Sequence, residues 1–281
     1  MNSNPLPAPD HGASSMPSKT HPSRQRKLMK KALPGLLLCL CGPAAWAQTN
    51  SSGSGDSAKA FVNFNNSPPR KYQRCTGSTK AFYESEPGAE KSRLSARACR
   101  KFLTHLGFVL NSLPAHARGA YRDTNFFLML GETSTQGGHK SGMRFVTRGS
   151  RLAEKGYDPR WEDGIVVYST TNLMYLSELW TRKAILHEMA HAWHLRNWPV
   201  KHPPLMSAWQ KTRAAGLYLN VQDLAGKSIP KAYATVNQLE YFAELSAAYF
   251  VGINYQPFDR AGLAAYDPVG SAAVEAMWGL R

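Results

Sequence analysis

Two histidines four residues apart, with a glutamate directly after the first, are the residues of this chain best suited to chemistry: His187-Glu188-Met189-Ala190-His191. On a helix, that spacing puts the two imidazoles one above the other on one face, where their neutral nitrogens can bind one metal ion. Glu188 lies within the same arc of about 100°. Zinc suits the set, because two imidazoles and a carboxylate leave a fourth tetrahedral place for a water whose pKa the ion lowers to about 7. Glu188 is then placed to take that water's proton. The competing reading is a pair of ordinary buried histidines. The flanking residues argue against it, since Leu179 to Leu186 is a run of helix formers without Pro or Gly and Ser177 can cap it, so the motif falls mid-helix.

The third ligand decides the kind of site. One zinc pattern continues through a Gly three residues after the second His to another ligand three residues further on; those places here hold His194 and Asn197. His194 shares the helix face, but at seven residues from His187 it lies about 10.5 Å along the axis and cannot share an ion with it. It is expected near the site without binding the metal. The third ligand therefore comes from elsewhere, and the best source is Asn237 to Glu244, where Glu240 and Glu244 share one face of a second helix. One glutamate would bind zinc and the other would hold the outer nitrogen of a ligand histidine. The pattern also admits a humbler role for Glu240, as part of a cap begun by Asn237.

The run His187 to His194, Tyr233 seven residues before Glu240, the segment Glu240 to Phe250 and the tail Asn254-Tyr255-Gln256-Pro257-Phe258 together resemble the lethal-factor-like zinc metallopeptidase domain, named after the anthrax toxin lethal factor. The resemblance runs from about Gly164 to the C-terminus. It implies a gluzincin-type site: His187, His191 and Glu240 as zinc ligands, Glu188 as general base, and Tyr233 as the donor that stabilises the oxyanion.

The remaining chain says where such a site would work. Residues 1–28 are polar and basic. From Met29, a plausible start, Lys30 and Lys31 precede an apolar run from Ala32 that ends Ala45-Trp46-Ala47, the pattern of a secretory signal. The run is too short to span a bilayer. Residues 1–47 thus read as an extension and signal peptide, 48–70 as a flexible linker rich in Ser, Gly and Asn, and 71–281 as one catalytic domain. The signal points to export, to the periplasm or the medium, with no stable membrane insertion afterwards. Residues 1–47 hold six basic residues and one acidic, so removing them lowers the net charge from +15 to +10. The basic residues are scattered, as on the solvated face Arg93, Arg97, Arg100 and Lys101, and no nucleic-acid-binding motif is present, so the expected partner is a protein or peptide substrate.

After export two cysteines remain, Cys75 and Cys99. In an oxidising compartment they should form a disulfide, and they lack the spacing of a zinc site. Leu94, Cys99, Phe102, Leu106, Val109 and Leu113 recur at helical intervals, so residues 92–112 should form a core helix ended by Pro114. Asn125–Leu130 and Gly164–Ser169 read as buried strands, with a third at Arg144–Thr147 and a Gly-rich loop, Gly131–Gly142, between. Strand Gly164–Ser169 could align an extended substrate. Leu205–Tyr218 should be helical, and Asp267-Pro268 should start a final helix. His105, His116, His139 and His202 have no ligand spacing.

The expected fold is therefore α+β: a mainly helical, zincin-like domain with a small β-sheet preceding the active-site helix. The expected activity is that of an exported zinc-dependent endopeptidase, a hydrolase holding one Zn2+ per chain. Two other classes remain open, a zinc-binding but non-catalytic envelope interaction protein and a zinc hydrolase acting on a non-protein amide.

Overall fold

The structure, a computed structural model, describes residues 69–155 and 157–281. The expected signal segment and most of the linker lie outside these residues. Within them the chain is mixed α+β, and no helix is long and apolar enough to cross a membrane.

A five-stranded sheet forms one layer. Its strands are β1 (Tyr72–Arg74), β2 (Ala81–Glu84), β3 (Phe126–Leu128), β4 (Met143–Phe145) and β5 (Ile165–Val167), in the spatial order β1-β2-β3-β5-β4. β2, β3 and β5 run parallel, while β1 and β4 are antiparallel edges. The central β3 and β5 are wholly buried, Phe-Phe-Leu and Ile-Val-Val, as strands covered on both faces require. Phe126, Leu128, Ile165 and Val167 join the main core, whereas Phe127, Met129, Val166 and Tyr168 pack with Trp161 in a second cluster. Because β5 is interior, it cannot accept a substrate strand as the sequence suggested. The sheet edge beside the histidine helix belongs to β4.

Helix α1 (Ala89–Ser112) lies against the sheet through Ala98, Phe102, Leu106 and Val109, the face the apolar spacing marked out. Cys75 and Cys99 are bonded, with Cα atoms 5.6 Å apart, so α1 is stapled to the loop after β1. One charge on its outer side departs from expectation: the half-buried Lys101 ammonium donates to the carbonyls of Leu176 at 2.5 Å and Met174 at 3.2 Å. Those carbonyls end a short helix, α3 (Thr170–Tyr175), which follows α2 (Ala115–Gly119) in the chain. Lys101 thereby satisfies acceptors that the helix leaves open.

The loop from Gly131 to Gly142 is pinned to the sheet's far side. Arg70, ion-paired with Glu84, donates to the carbonyls of Gln136 and Gly137 at 2.8 Å each, and Glu86 accepts from the Thr135 amide at 2.7 Å.

The second layer is helical. Helix α4 (Glu178–Asn197) starts where Ser177 accepts from the Trp180 amide, as its sequence required, and packs along α6 (Gln238–Phe250). Between them come α5 (Pro203–Ala214) and a hairpin of β6 (Leu219–Gln222) and β7 (Ser228–Lys231), which the sequence did not signal. Both strands are largely exposed, so they lack the alternation that marks a half-buried strand. Helices α7 (Arg260–Tyr266) and α8 (Pro268–Met277) close the layer. Asp267 caps α8 by accepting from the Gly270 amide at 2.8 Å, and it also accepts from Tyr241 at 2.7 Å and Tyr218 at 3.1 Å.

Candidate metal centre

Helices α4 and α6 each bring one pair of residues four apart to their contact. Helix α4 offers His187 and His191; α6 offers Glu240 and Glu244. All are buried except His191, whose side chain keeps 13% of its surface exposed and opens the group to solvent.

Three donor atoms converge. His187 Nε2 is 2.9 Å from Glu240 Oε2, His191 Nε2 is 3.2 Å from the same oxygen, and the two ring nitrogens are 3.1 Å apart. Bonds of about 2.0–2.1 Å at tetrahedral angles would separate the ligands by about 3.3 Å, so the triangle fits a zinc-sized ion. Among the described residues this is the group of His, Cys, Asp and Glu side chains whose donors can hold a metal.

Glu240 is not spent on capping its own helix. Asn237 does that alone, its side-chain oxygen accepting from the amides of Leu239 at 2.8 Å and Glu240 at 2.9 Å. The Glu240 carboxyl is thereby left to face the histidines. Although burial opposes its ionisation, the charges and hydrogen bonds of His191 and His187 hold it well below the usual carboxylate range.

Glu244 takes the other nitrogen of His187: Nδ1 lies 2.9 Å from Glu244 Oε1. A ring that donates through Nδ1–H presents a lone pair at Nε2, the atom facing His191 and Glu240. Burial works against the Glu244 charge, but Lys183, His187 and Tyr255 outweigh it and bring its pKa down to about 2. Burial would likewise depress the His187 pKa, yet the hydrogen bonds it donates to Glu240 and Glu244 push it up to about 10. The two carboxylates thus favour a cation on this ring, and a proton and a metal compete for its Nε2.

Glu188 is buried, and its Oε2 accepts from the Phe145 amide of edge strand β4 at 2.6 Å. Burial raises its pKa, against the lowering effect of His191 and His187. A carboxylate so poised accepts and returns a proton more readily than an exposed one. Tyr233, at the head of a 3-10 turn (Tyr233–Thr235), has its ring centre 5.9 Å from that of His187. Burial first, then the charges of Glu240, Glu188 and Glu244, raise its pKa far beyond neutrality, so the phenol keeps its proton and can donate.

His194 is the residue the structure does not bring to the site. It is fully buried, with Nε2 3.1 Å from the Pro199 carbonyl oxygen and its ring edge-on to Phe242 at 5.7 Å. It lies one turn beyond His191, whose charge it feels, and nearly two turns from His187, with its ring turned to Phe242 and the Pro199 carbonyl. Its work is to tie the end of α4 to the following turn.

Sequence reasoning missed Lys183 and the Phe145 amide, and gave no role to Tyr255. A lysine one turn ahead of His187, on the same face of a helix otherwise apolar there, was the available signal for Lys183. Next to these side chains, a cavity of about 270 Å³ is lined by Trp180, Ala184, Ile229, Val236 and Tyr255 together with His187, Tyr233 and Glu244. No family model matches the chain, and no curated protein matches it in sequence.

Proposed function

We propose that this chain is an exported zinc-dependent endopeptidase. The observation that carries the reading is three converging donors, His187, His191 and Glu240, with a buried carboxyl, Glu188, next to His187 in the chain and a protonated phenol, Tyr233, whose ring centre is 5.9 Å from that of His187. A non-catalytic zinc site has no use for the last two.

A zinc ion held by His187, His191 and Glu240 would supply Lewis acidity, polarising a carbonyl and acidifying water. The protein's own groups then divide the proton and charge work of amide hydrolysis. Glu188, anchored through Oε2 to the Phe145 amide, removes a proton from the attacking water. As the C–N bond breaks, the same proton passes from Glu188 to the leaving amine, so the carboxylate is regenerated. Tyr233 donates a hydrogen bond to the oxygen on which negative charge develops. β4 is a sheet edge beside Glu188; its Phe145 amide is held by that carboxylate, and the outward backbone groups of Met143 are those an extended peptide would pair with. The apolar cavity provides room for a side chain flanking the cleaved bond. The resemblance to lethal-factor-like metallopeptidases implies these roles for His187, His191, Glu240, Glu188 and Tyr233.

The test is Glu188→Gln in the purified mature protein, assayed for zinc and for cleavage of a peptide library. Zinc should remain at one per chain while turnover falls by about 10² or more. Cleavage at the parent rate refutes the base role. Zinc retention by a parent protein that cleaves no peptide favours the non-catalytic or non-peptide reading.

A further inference from the structure

Lys183 is a buried charge that the mechanism above leaves without a task. It stands one turn before His187 on α4, its side chain only 8% exposed, and its Nζ lies 2.9 Å from Glu244 Oε2. The same ammonium donates to Asn254 Oδ1 at 3.3 Å and sits over the rings of Trp180 and Tyr255, 4.8 and 5.1 Å from their centres. Tyr255 donates its hydroxyl to the same carboxylate oxygen at 2.6 Å. The opposite oxygen, Oε1, is the one that faces His187 Nδ1 at 2.9 Å. The two oxygens of Glu244 are thus divided, one held by Lys183 and Tyr255, the other by the ligand histidine.

An ammonium in an apolar wall is expensive to bury, and a methionine or leucine would fill that wall of the cavity at lower cost. Packing alone does not account for a lysine there. What a lysine adds is a fixed counter-charge that fastens one carboxylate oxygen and so aims the other.

We propose that Lys183 is a positioning residue for the metal centre: by fastening Glu244 Oε2 it keeps Oε1 on His187 Nδ1, which fixes that ring's tautomer and turns its Nε2 lone pair toward the ion. The inference rests on the metal-centre reading above. Without Lys183, only the Tyr255 hydroxyl holds Oε2, and the carboxylate can turn away from Nδ1. The ring then loses the partner that orients it, at the loss of 10- to 100-fold in metal affinity that removal of such partners causes, an order-of-magnitude range.

The experiment measures the zinc dissociation constant by competition with a chromogenic chelator, for the parent, Lys183→Met, Glu244→Gln and the double variant, with His187→Ala as the zinc-free control. Lys183→Met should bind zinc about 10- to 100-fold more weakly, and the double variant no more weakly than Glu244→Gln alone, because both act along one path. Lys183→Gln, which keeps a polar end, replaces Lys183→Met if the latter does not fold. Long-range nitrogen–proton NMR of the unmutated zinc protein should place the His187 proton on Nδ1. Parent-like affinity in the Lys183 variant, an equal loss in the Glu244→Gln background, or a proton on Nε2 overturns the proposal. A parent that holds no more zinc than His187→Ala instead overturns the metal-centre reading itself.

Discussion

Acidifying the protein should destabilise it through His194. This ring is fully buried, and its Nδ1 has no hydrogen-bond partner among the described residues. Burial, ahead of the opposing Pro199 bond and the charges of His191 and His202, lowers its pKa to about 4. The unfolded chain's histidine titrates near 6.5, so between about pH 6.5 and 4 the unfolded state binds more protons and stability falls with pH. At about 1.4 kcal/mol per pH unit, the full loss is about 3 kcal/mol, of which about 2 kcal/mol should be gone by pH 5. Burial and then the Arg182 charge lower the His105 pKa too, so it acts with the same sign, but it is present in both proteins to be compared. The raised pKa of His187 adds stability that is complete below about 6.5 and is lost only as pH rises through about 10. The lowered pKa of Glu244 adds stability lost only below the usual carboxylate range, on the way to about 2. Glu188 titrates with the opposite sign, and it is present in both proteins to be compared. The assay is urea unfolding of zinc-free parent and His194→Phe, followed by tryptophan fluorescence, at steps from pH 7.5 to 4.5. His194→Phe keeps a ring against Phe242 but removes the titration, so its stability should decline less steeply with acid. Coincident pH slopes for the two proteins refute the assignment.

Three further outcomes are expected. His187→Ala, His191→Ala and Glu240→Ala should each lose zinc by atomic absorption, while His194→Phe keeps it; zinc lost by Glu244→Ala but kept by Glu240→Ala would reverse the roles of the two glutamates. Tyr233→Phe should lower kcat by about 10² to 10³ with KM nearly unchanged, because a donor to a developing oxyanion acts in the transition state, and a parent-like rate with zinc bound excludes that role. Replacing Cys75 and Cys99 by serine opens a loop with a sequence separation of 24, which on chain-entropy grounds costs about 3 kcal/mol. The melting temperature should then drop by about 6–12 °C, and an unchanged value would show that the disulfide does not constrain the unfolded chain.

The elements that sequence exposed best were those whose burial is one-sided or complete. Helix α1 announced itself through Cys99, Phe102, Leu106, Val109 and Leu113, because those positions share the face that packs into the core. β3 and β5 were legible as short apolar runs, but their order was not. That β5 lies inside the sheet and β4 at its edge depends on which backbones pair, and no single strand's composition encodes its neighbour. The hairpin of β6 and β7 escaped because its side chains are mostly solvated and its pairing is a backbone matter. Lys101 was misjudged for a related reason. Spacing placed it on the outer face of α1, but whether that face meets water or the open carbonyls of α3 is decided by tertiary packing.

At the candidate metal centre the same division holds within single side chains. The i,i+4 rule fixes that His187 and His191 share a face, and that Glu240 and Glu244 share another. It does not fix how far one helix is slid along the other, and a slide of one turn, about 5.4 Å, would exchange the two glutamates. The register is set by contacts that the motif does not contain. Asn237 starts α6 and frees the Glu240 carboxyl, His194 of α4 meets Phe242 one turn past His191, and Lys183 meets Glu244 one turn before His187. These last two contacts bracket the group from opposite ends of α4, so α6 cannot advance by a turn without losing both. The assignment of Glu240 to the converging donors and Glu244 to the outer nitrogen is therefore a property of the packed pair of helices. The charge that breaks the apolar face of α4, Lys183, is the one mark of that register visible in the sequence itself.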